Sequence, residues 1–203
     1  MAEKTIDIAS PILSRNERLA DQLRQRFNEA GTYVINVLSS PGSGKTTTIL
    51  GTNERLRDKA GLRCAVIEGD IASDVDAIIM KEAGMPAIQI NTGGLCHLEG
   101  NMIMEAVDAF DQAVGLENID VIFIENVGNL VCPVDFDLGE NLSIMILSVP
   151  EGDDKPLKYP LMFQICDVVL INKTDVLPYF DFDMEKCREN IRMRNPNARV
   201  IPI

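Results

Sequence analysis

The stretch YVINVLSSPGSGKT, residues 33–46, joins an apolar run to a glycine-rich turn and a lysine. A strand, a turn of this kind and a helix start, in this order, are the setting that a phosphate-binding loop requires. Gly42 and Gly44 allow the backbone to curl so that successive N–H groups point at phosphate oxygens, and the helix N-terminus adds partial positive charge there. Lys45 would neutralise the β- and γ-phosphates, and the Thr46 hydroxyl would hold Mg²⁺. The first ligand that the sequence predicts is therefore a nucleotide, with a triphosphate favoured over other forms.

Length and charge narrow the class of protein. The chain has 203 residues and a net charge of −12, which predicts one α/β domain and disfavours nucleic acid as the main partner. No apolar run approaches the roughly 20 residues of a membrane span, and the N-terminus shows no basic segment followed by an apolar one. We therefore expect no signal peptide, no membrane partner and a cytoplasmic location. The expected organisation is a single G domain over residues 1–203, with a helical segment at 1–31 and a nucleotide- and metal-binding core at 32–203.

Apolar runs and amphipathic segments alternate along the chain. This order predicts an α/β fold of the P-loop NTPase class, with a mostly parallel sheet and helices on both faces. In such sheets ligands bind beyond the carboxyl ends of the strands, where the polar motifs of this chain lie. The predicted strands are 34–38, 63–68, 87–90, 119–125, 143–149, 168–172 and 199–203, and the predicted helices are 15–30, 45–60, 74–83, 99–114, 157–165 and 182–194.

Two acidic motifs follow predicted strands. Asp70, in Glu68-Gly69-Asp70, is expected to hold Mg²⁺ or orient the attacking water, and the alternative is a cap for the next helix. Asp74 and Asp76 follow closely, and the sequence does not separate their roles. Glu125 ends a strongly apolar run and would face the Mg²⁺ site, while Gly128 could offer its N–H to a γ-phosphate.

The motif Asn172-Lys173-Thr174-Asp175 follows another predicted strand, and its N-K-x-D order favours guanine. The aspartate accepts hydrogen bonds from the guanine N1–H and 2-amino groups, which adenine lacks. The asparagine meets the other edge of the purine, and the lysine stem packs against the base. The sequence therefore favours GTP over ATP.

Five cysteines at wide spacing favour free thiols or metal ligands over a disulfide framework. Cys64 and Cys166 lie in or beside apolar runs and are expected in the core, whereas Cys187 is expected on a surface helix. The single histidine, His97, directly follows Cys96, and Cys132 lies four residues beyond Gly128. Thiolate and imidazole suit nickel, zinc or copper. The alternative is a buried thiol beside a surface histidine.

Taken together, these motifs resemble the HypB family, the nickel-incorporation GTPases that help mature nickel–iron hydrogenases. The most specific segments are ENVGNLVCP (125–133) and GDDKPLKYP (152–160). The resemblance covers about residues 15–203. It implies a GTPase that dimerises when it holds nucleotide, with a metal site near the subunit interface that maps onto Cys96, His97 and Cys132. It also implies a HypA-like metallochaperone and the hydrogenase large subunit as partners, and Ni²⁺ as the metal, with Zn²⁺ able to occupy the same site.

Cys132 lies seven residues after Glu125, on the segment expected to change shape with the γ-phosphate. We therefore expect nucleotide state to govern metal binding, and hydrolysis of GTP to GDP to be slow, because no glutamine or arginine is evidently placed to assist it. The residues predicted to bind nucleotide are Gly42, Ser43, Gly44, Lys45, Thr46, Thr47, Gly128, Asn172, Lys173 and Asp175. Those predicted to take part in hydrolysis are Lys45, Asp70 and Glu125, and those predicted to hold Mg²⁺ are Thr46, Asp70 and Glu125.

Three departures from the family pattern stand out. Ser39 replaces the usual first glycine of the phosphate loop, which requires a negative φ or a slightly altered turn. Gly93-Gly94-Leu95 replaces a more basic segment before Cys96. The sequence ends at Ile203, before the guanine-binding loop and last helix that the family carries, so weaker base recognition and one thinly covered sheet face are expected. Residues 1–31 hold no Cys-rich or His-rich segment of the kind that some family members use to bind or store nickel.

Three other functions remain open from the sequence. A UreG-like urease nickel GTPase would share the phosphate loop and N-K-x-D, but its Cys-Pro-x-His motif is absent here. A non-catalytic protein that stores metal and binds nucleotide only structurally is a second possibility. A general signalling GTPase with Cys96 and Cys132 as structural thiols is the third.

Overall fold

A computed structural model describes residues 9–70, 79–80 and 83–203. Asp74, Asp76 and most of the helix predicted at 74–83 lie outside the described residues. The helices are α1 (Ala9–Ala30), α2 (Lys45–Ala60), α3 (Gly100–Val114), α4 (Lys155–Lys158), α5 (Pro160–Ile165) and α6 (Met184–Arg194). The strands are β1 (Tyr33–Ser39), β2 (Cys64–Asp70), β3 (Ala87–Asn91), β4 (Val121–Glu125), β5 (Leu142–Ser148), β6 (Val168–Asn172) and β7 (Arg199–Pro202).

The seven strands form one sheet in the order β3-β2-β4-β1-β5-β6-β7, and every pairing in it is parallel. The predicted α/β class with a parallel sheet is therefore confirmed. Because all strands run the same way, the segments that follow them meet along one edge of the sheet. The phosphate-loop sequence follows β1, the segment with Cys96 and His97 follows β3, and the segment with Cys132 follows β4.

Helices cover both faces of the sheet. On one face α1 and α3 pack through Leu23, Phe27 and Phe110 onto β1, β2 and β4, and α5 and α6 pack onto β5 and β6. On the other face α2 packs through Ile49 against β1, β2 and β4. Past α2 on this face, the side chain of Leu170 in β6 is only half-buried.

Several elements differ from their predicted bounds. The helix predicted at 157–165 is two short helices, because Pro160 begins α5 and the residue before a proline is pushed out of the helical region. Tyr159 accordingly has φ −126° and ψ 57°. The strand predicted from 119 begins at Val121, after a 3-10 turn at Leu116–Asn118. Helix α1 begins at Ala9, six residues before its predicted start.

Cys187 lies on α6, a helix with an exposed outer side as predicted, and its own side chain is buried against α5 and β6. Cys64 and Cys166 are buried, as predicted. Within the described part of the chain, no helix has the length and apolar character needed to cross a membrane.

Candidate nucleotide and metal site

The loop between β1 and α2 has the geometry of a phosphate cradle. Gly42 and Gly44 have φ of 72° and 97°, values that side chains other than glycine rarely adopt. A Cβ on Gly44 would also collide with the amide of Asn172. Ser39 lies in β1, and the only non-glycine residue with positive φ in the described ranges is Lys173. The serine at the first loop position therefore fits without backbone strain.

Two cavities flank Lys45 and are both lined by Lys45 and Glu125. One, of about 300 Å³, is also lined by Glu68, Asp70 and Gly128. The other, of about 470 Å³, is also lined by Gly42, Gly44, Thr46, Thr47 and Lys173. The structure thus brings most of the predicted nucleotide residues to one connected surface.

Glu125 and Thr46 meet beside this surface. The Thr46 hydroxyl donates a hydrogen bond to Glu125 Oε1 at 2.9 Å, although the residues lie on different elements. Asp70 ends β2 and lines the same cavity as Glu125. A hydroxyl and carboxylate oxygens are the donors that Mg²⁺ prefers, so these side chains fit the ion.

Asn172 and Lys173 anchor the end of β6 to the phosphate loop. Asn172 Nδ2 donates to the Ser43 carbonyl at 2.8 Å, and Lys173 Nζ donates to the Gly42 carbonyl at 2.6 Å. Lys173 has φ 61°, in the left-handed region, and its N–H donates to the Asn172 side chain. Asp175 follows on a 3-10 turn and is exposed, lining neither of the two cavities.

Glu151 was not singled out from the sequence, yet its carboxylate supports the phosphate loop. Its Oε2 accepts hydrogen bonds from Ser43 Oγ at 2.8 Å and from Ser148 N and Oγ at 2.8 and 2.7 Å. Burial alone would raise the pKa of Glu151, but hydrogen bonds from Ser40, Ser148 and Ser43 outweigh burial and hold that pKa below its ordinary value. The capping pattern Ser148-Val-Pro-Glu151 is the sequence signal that could have identified it.

The predicted soft ligands converge within one chain. The ligand atoms of Cys96, His97 and Cys132 all lie within 4.8 Å of one another, and each side chain is half-buried. Cys96 Sγ lies 3.7 Å from His97 Nδ1. A hydrogen bond with the Cys96 thiol raises the pKa of Cys132. Two sulfurs and an imidazole at this spacing suit a soft or borderline divalent ion.

Two neighbours contact the histidine ring, and neither was predicted. His97 Nε2 lies 3.3 Å from Glu99 Oε1, and the ring stacks on Phe136 at a centroid distance of 4.0 Å. His97 Nε2 makes no hydrogen bond within the described residues, so the Glu99 carboxylate lies close to the ring without hydrogen-bond geometry, and the stacking on Phe136 sets the ring plane.

Asn129 shapes the loop that carries Cys132. Its Oδ1 accepts from Val131 N at 2.7 Å and from Cys132 N at 3.3 Å, and its Nδ2 lies 3.5 Å from Cys132 Sγ. At the start of the same segment, a Cβ on Gly128 would lie 2.9 Å from Pro41 N. The segment 125–132 therefore contacts the phosphate loop at Gly128 and carries Cys132 of the cluster at its end.

Comparison with known proteins gives a consistent set of relatives. The model of the CobW/HypB/UreG nucleotide-binding domain matches residues 33–202. Hydrogenase maturation factor HypB of Azotobacter chroococcum is 49% identical over 200 residues, which cover 98% of this chain and 64% of that protein. The protein of the same name from Escherichia coli K12 is 47% identical over 98% of this chain and 67% of its own length. The chain thus spans about two thirds of these relatives.

A solved structure extends the similarity to three dimensions. The crystal structure of HypB from Helicobacter pylori in complex with nickel matches with a TM-score of 0.87 and 42% identity. The match covers 93% of this chain and 86% of that one.

Proposed function

The chain belongs to the HypB family, within the CobW/HypB/UreG group, and from that premise we propose that it is a GTP-hydrolysing nickel metallochaperone for nickel–iron hydrogenase maturation. In this function, nucleotide state controls metal binding and dimerisation. One observation carries the proposal. Cys132, Cys96 and His97 form a soft-ligand cluster, and the segment that holds Cys132 begins at Glu125, which accepts a hydrogen bond from Thr46.

The chain's own residues have separate tasks in this proposal. Lys45 and the loop N–H groups bind the phosphates, while Asn172, Lys173 and Asp175 select guanine. Thr46, Asp70 and Glu125 would hold Mg²⁺, which when bound offsets phosphate charge. Glu125 and Asp70 also position the attacking water. The names of the relatives, hydrogenase maturation factor and a nickel complex, support nickel as cargo and the hydrogenase as destination.

Partners follow from the same premise. A homodimer that forms with nucleotide or metal would allow a second copy to complete the coordination, since the described residues of one chain bring three soft ligands together and zinc or nickel takes about four. A HypA-like metallochaperone and the hydrogenase large subunit are the proposed donor or acceptor proteins.

Hydrolysis is tested by phosphate release from GTP by the purified protein. We expect slow turnover, on the order of 10⁻⁴ to 10⁻² s⁻¹, that is lost in Lys45→Ala and kept in Lys59→Ala, a lysine further along α2. Turnover in Lys45→Ala equal to wild type would exclude the phosphate-loop assignment.

Metal binding is tested by anaerobic nickel titration of wild type, Cys132→Ala and the control Cys64→Ala, whose sulfur is buried away from the cluster. We expect Cys132→Ala alone to weaken nickel binding. Unchanged nickel affinity in Cys132→Ala would favour a protein that binds nucleotide but does not use this metal site. Light scattering with GDP and with a GTP analogue tests dimerisation.

A further inference from the structure

Two buried asparagines and a half-buried glutamate form a hydrogen-bonded chain through the layer under helices α1, α3 and α5. Asn36 and Asn126 are 2% and 1% exposed. Asn126 Nδ2 donates to Asn36 Oδ1 at 3.3 Å, and Asn36 Nδ2 donates to Glu140 Oε1 at 3.0 Å. Buried amides are costly unless they are hydrogen-bonded, and this chain of bonds fixes the orientation of both asparagines.

The oxygen of Asn126 joins the two halves of the site. Its Oδ1 accepts from Val127 N at 2.9 Å and from Leu98 N at 3.3 Å. Val127 lies on the segment that runs from Glu125 to Cys132, and Leu98 directly follows Cys96 and His97. One buried amide therefore binds the backbone of both metal-ligand segments.

Asn126 and Leu98 also reach the nucleotide side. Asn126 directly follows Glu125 and lines the 300 Å³ cavity beside Lys45. Leu98 is fully buried, and its side chain packs so closely on Gly69 that a Cβ there would lie 2.8 Å from it. A shift of β4 or of the end of β2 is thus transmitted to Leu98 through direct contacts.

We propose that Asn126 is a positioning residue that couples nucleotide state to the metal site. It holds the Cys132 segment and the Cys96–His97 segment in a fixed position relative to each other. This proposal rests on the proposed function, since it requires both nucleotide and metal to bind. Asn126 touches neither the metal ligands' side chains nor the ion in this role. It acts through the backbone N–H groups of Leu98 and Val127.

The test measures the nickel affinity of the protein with GDP and with a non-hydrolysable GTP analogue, using Ni²⁺ alone as the titrant. For wild type we expect the two affinities to differ by roughly 5- to 150-fold, the usual size of coupling between sites. Asn126→Ala should reduce that ratio by about 2- to 30-fold. Asn190→Ala is the matched control. Asn190 is 5% exposed and its amide donates to the Asp153 carbonyl at 3.2 Å, remote from both segments.

Each outcome decides the matter. If the two wild-type nickel affinities differ and Asn126→Ala shows the same ratio, the role of Asn126 is overturned and the proposed function stands. A wild-type ratio of one would overturn both. An equal loss of the ratio in Asn190→Ala would assign the effect to general destabilisation and overturn the inference.

A second variant covers the case in which Asn126→Ala does not fold. Asn126→Asp keeps an oxygen that can accept from Leu98 N and Val127 N. It replaces the donor to Asn36 with a second oxygen and adds a carboxylate at a buried position. We expect it to melt at a lower temperature than wild type yet keep most of the nickel-affinity ratio. A folded Asn126→Asp protein without that ratio would overturn the inference.

Discussion

Gly128→Ala adds one methyl group at the contact between the phosphate loop and the segment that leads to Cys132. The new Cβ would lie 2.9 Å from Pro41 N and 3.0 Å from Pro41 Cα. The φ of Gly128 is not in the left-handed region, so an alanine is tolerated by the backbone and the perturbation is steric. Ordinary contact begins near 3.4 Å, so the two segments must separate by roughly 0.5 Å.

The size of the effect follows from that separation. Overpacking of a well-packed contact costs about 1–3 kcal/mol, and here the new methyl group meets backbone atoms of Pro41, which relax poorly. The nucleotide is expected to contact the same two segments, so a cost of about 1.4 kcal/mol in the bound state would weaken binding tenfold. We expect affinity for the GTP analogue to fall by about 5- to 150-fold and affinity for GDP to fall less, because Gly128 lies on the side proposed for the γ-phosphate. Calorimetric titration with each nucleotide measures both values.

Gly51→Ala is the matched control for this substitution. Gly51 lies inside α2, and nothing lies within 4 Å of its added Cβ. Alanine in a helix interior is more stable than glycine by about 0.5–1 kcal/mol, so this variant should bind normally and melt slightly higher. Wild-type affinity for the GTP analogue in Gly128→Ala would refute the reasoning, as would an equal loss in Gly51→Ala.

Three further predictions test the structure. Burial raises the pKa of Cys64 to about 11 and that of Cys187 to about 12. Alkylation of the native protein without metal should therefore label only the two cysteines of the metal cluster, as measured by peptide mass mapping. Labelling of Cys187 before unfolding would contradict its burial. Hydrogen bonds from Arg63 hold the pKa of Asp120 at about 2, so this pair stabilises the fold above the unfolded pKa near 3.9 and loses that effect as pH falls through about 2. Asp120→Asn should therefore lower the free energy of urea unfolding by less than about 1 kcal/mol at neutral pH and by less still near pH 2. A loss that grows on acidification would contradict this assignment. Glu151→Gln should lower the free energy of unfolding by about 1–3 kcal/mol, because it removes charge-assisted bonds to the phosphate loop, and an unchanged denaturation midpoint would show that the carboxylate is dispensable.

The parts of the fold that could be predicted from the sequence are those with a local cause. The apolar run before Gly42 and the glycines of the loop predict a strand, a turn and α2, because each local preference agrees with its neighbours. The prediction of one continuous helix over 157–165 was wrong, because the apolar spacing does not show the break that Pro160 imposes. The sequence placed Cys187 on a surface helix but not on its buried side, because only the packing of α5 and β6 decides which side of α6 faces inward.

The cluster of Cys96, His97 and Cys132 was expected by resemblance, and the structure brings its ligand atoms together. Its supports could not be predicted in the same way. Glu99 and Phe136 contact His97 from positions 2 and 39 residues away. Asn36 sits between apolar residues in the middle of β1, and no periodicity indicates which distant side chain satisfies its amide. Such pairings depend on sheet register, here Asn36 opposite Ile124 in β4.

The polar side chains under the sheet are better explained by specificity than by stability. Asn36 lies on the same face of β1 as Val34 and Leu38, which belong to two different apolar clusters. An apolar residue at that position would join the clusters and bury more hydrocarbon. The amides instead are satisfied only when Asn126 meets Asn36 and Leu98 N together, so a displaced loop leaves a buried donor or acceptor unpaired at a cost of about 1–3 kcal/mol. A network of this kind penalises intermediate positions of the two segments, and that penalty is what a switch between two discrete arrangements requires.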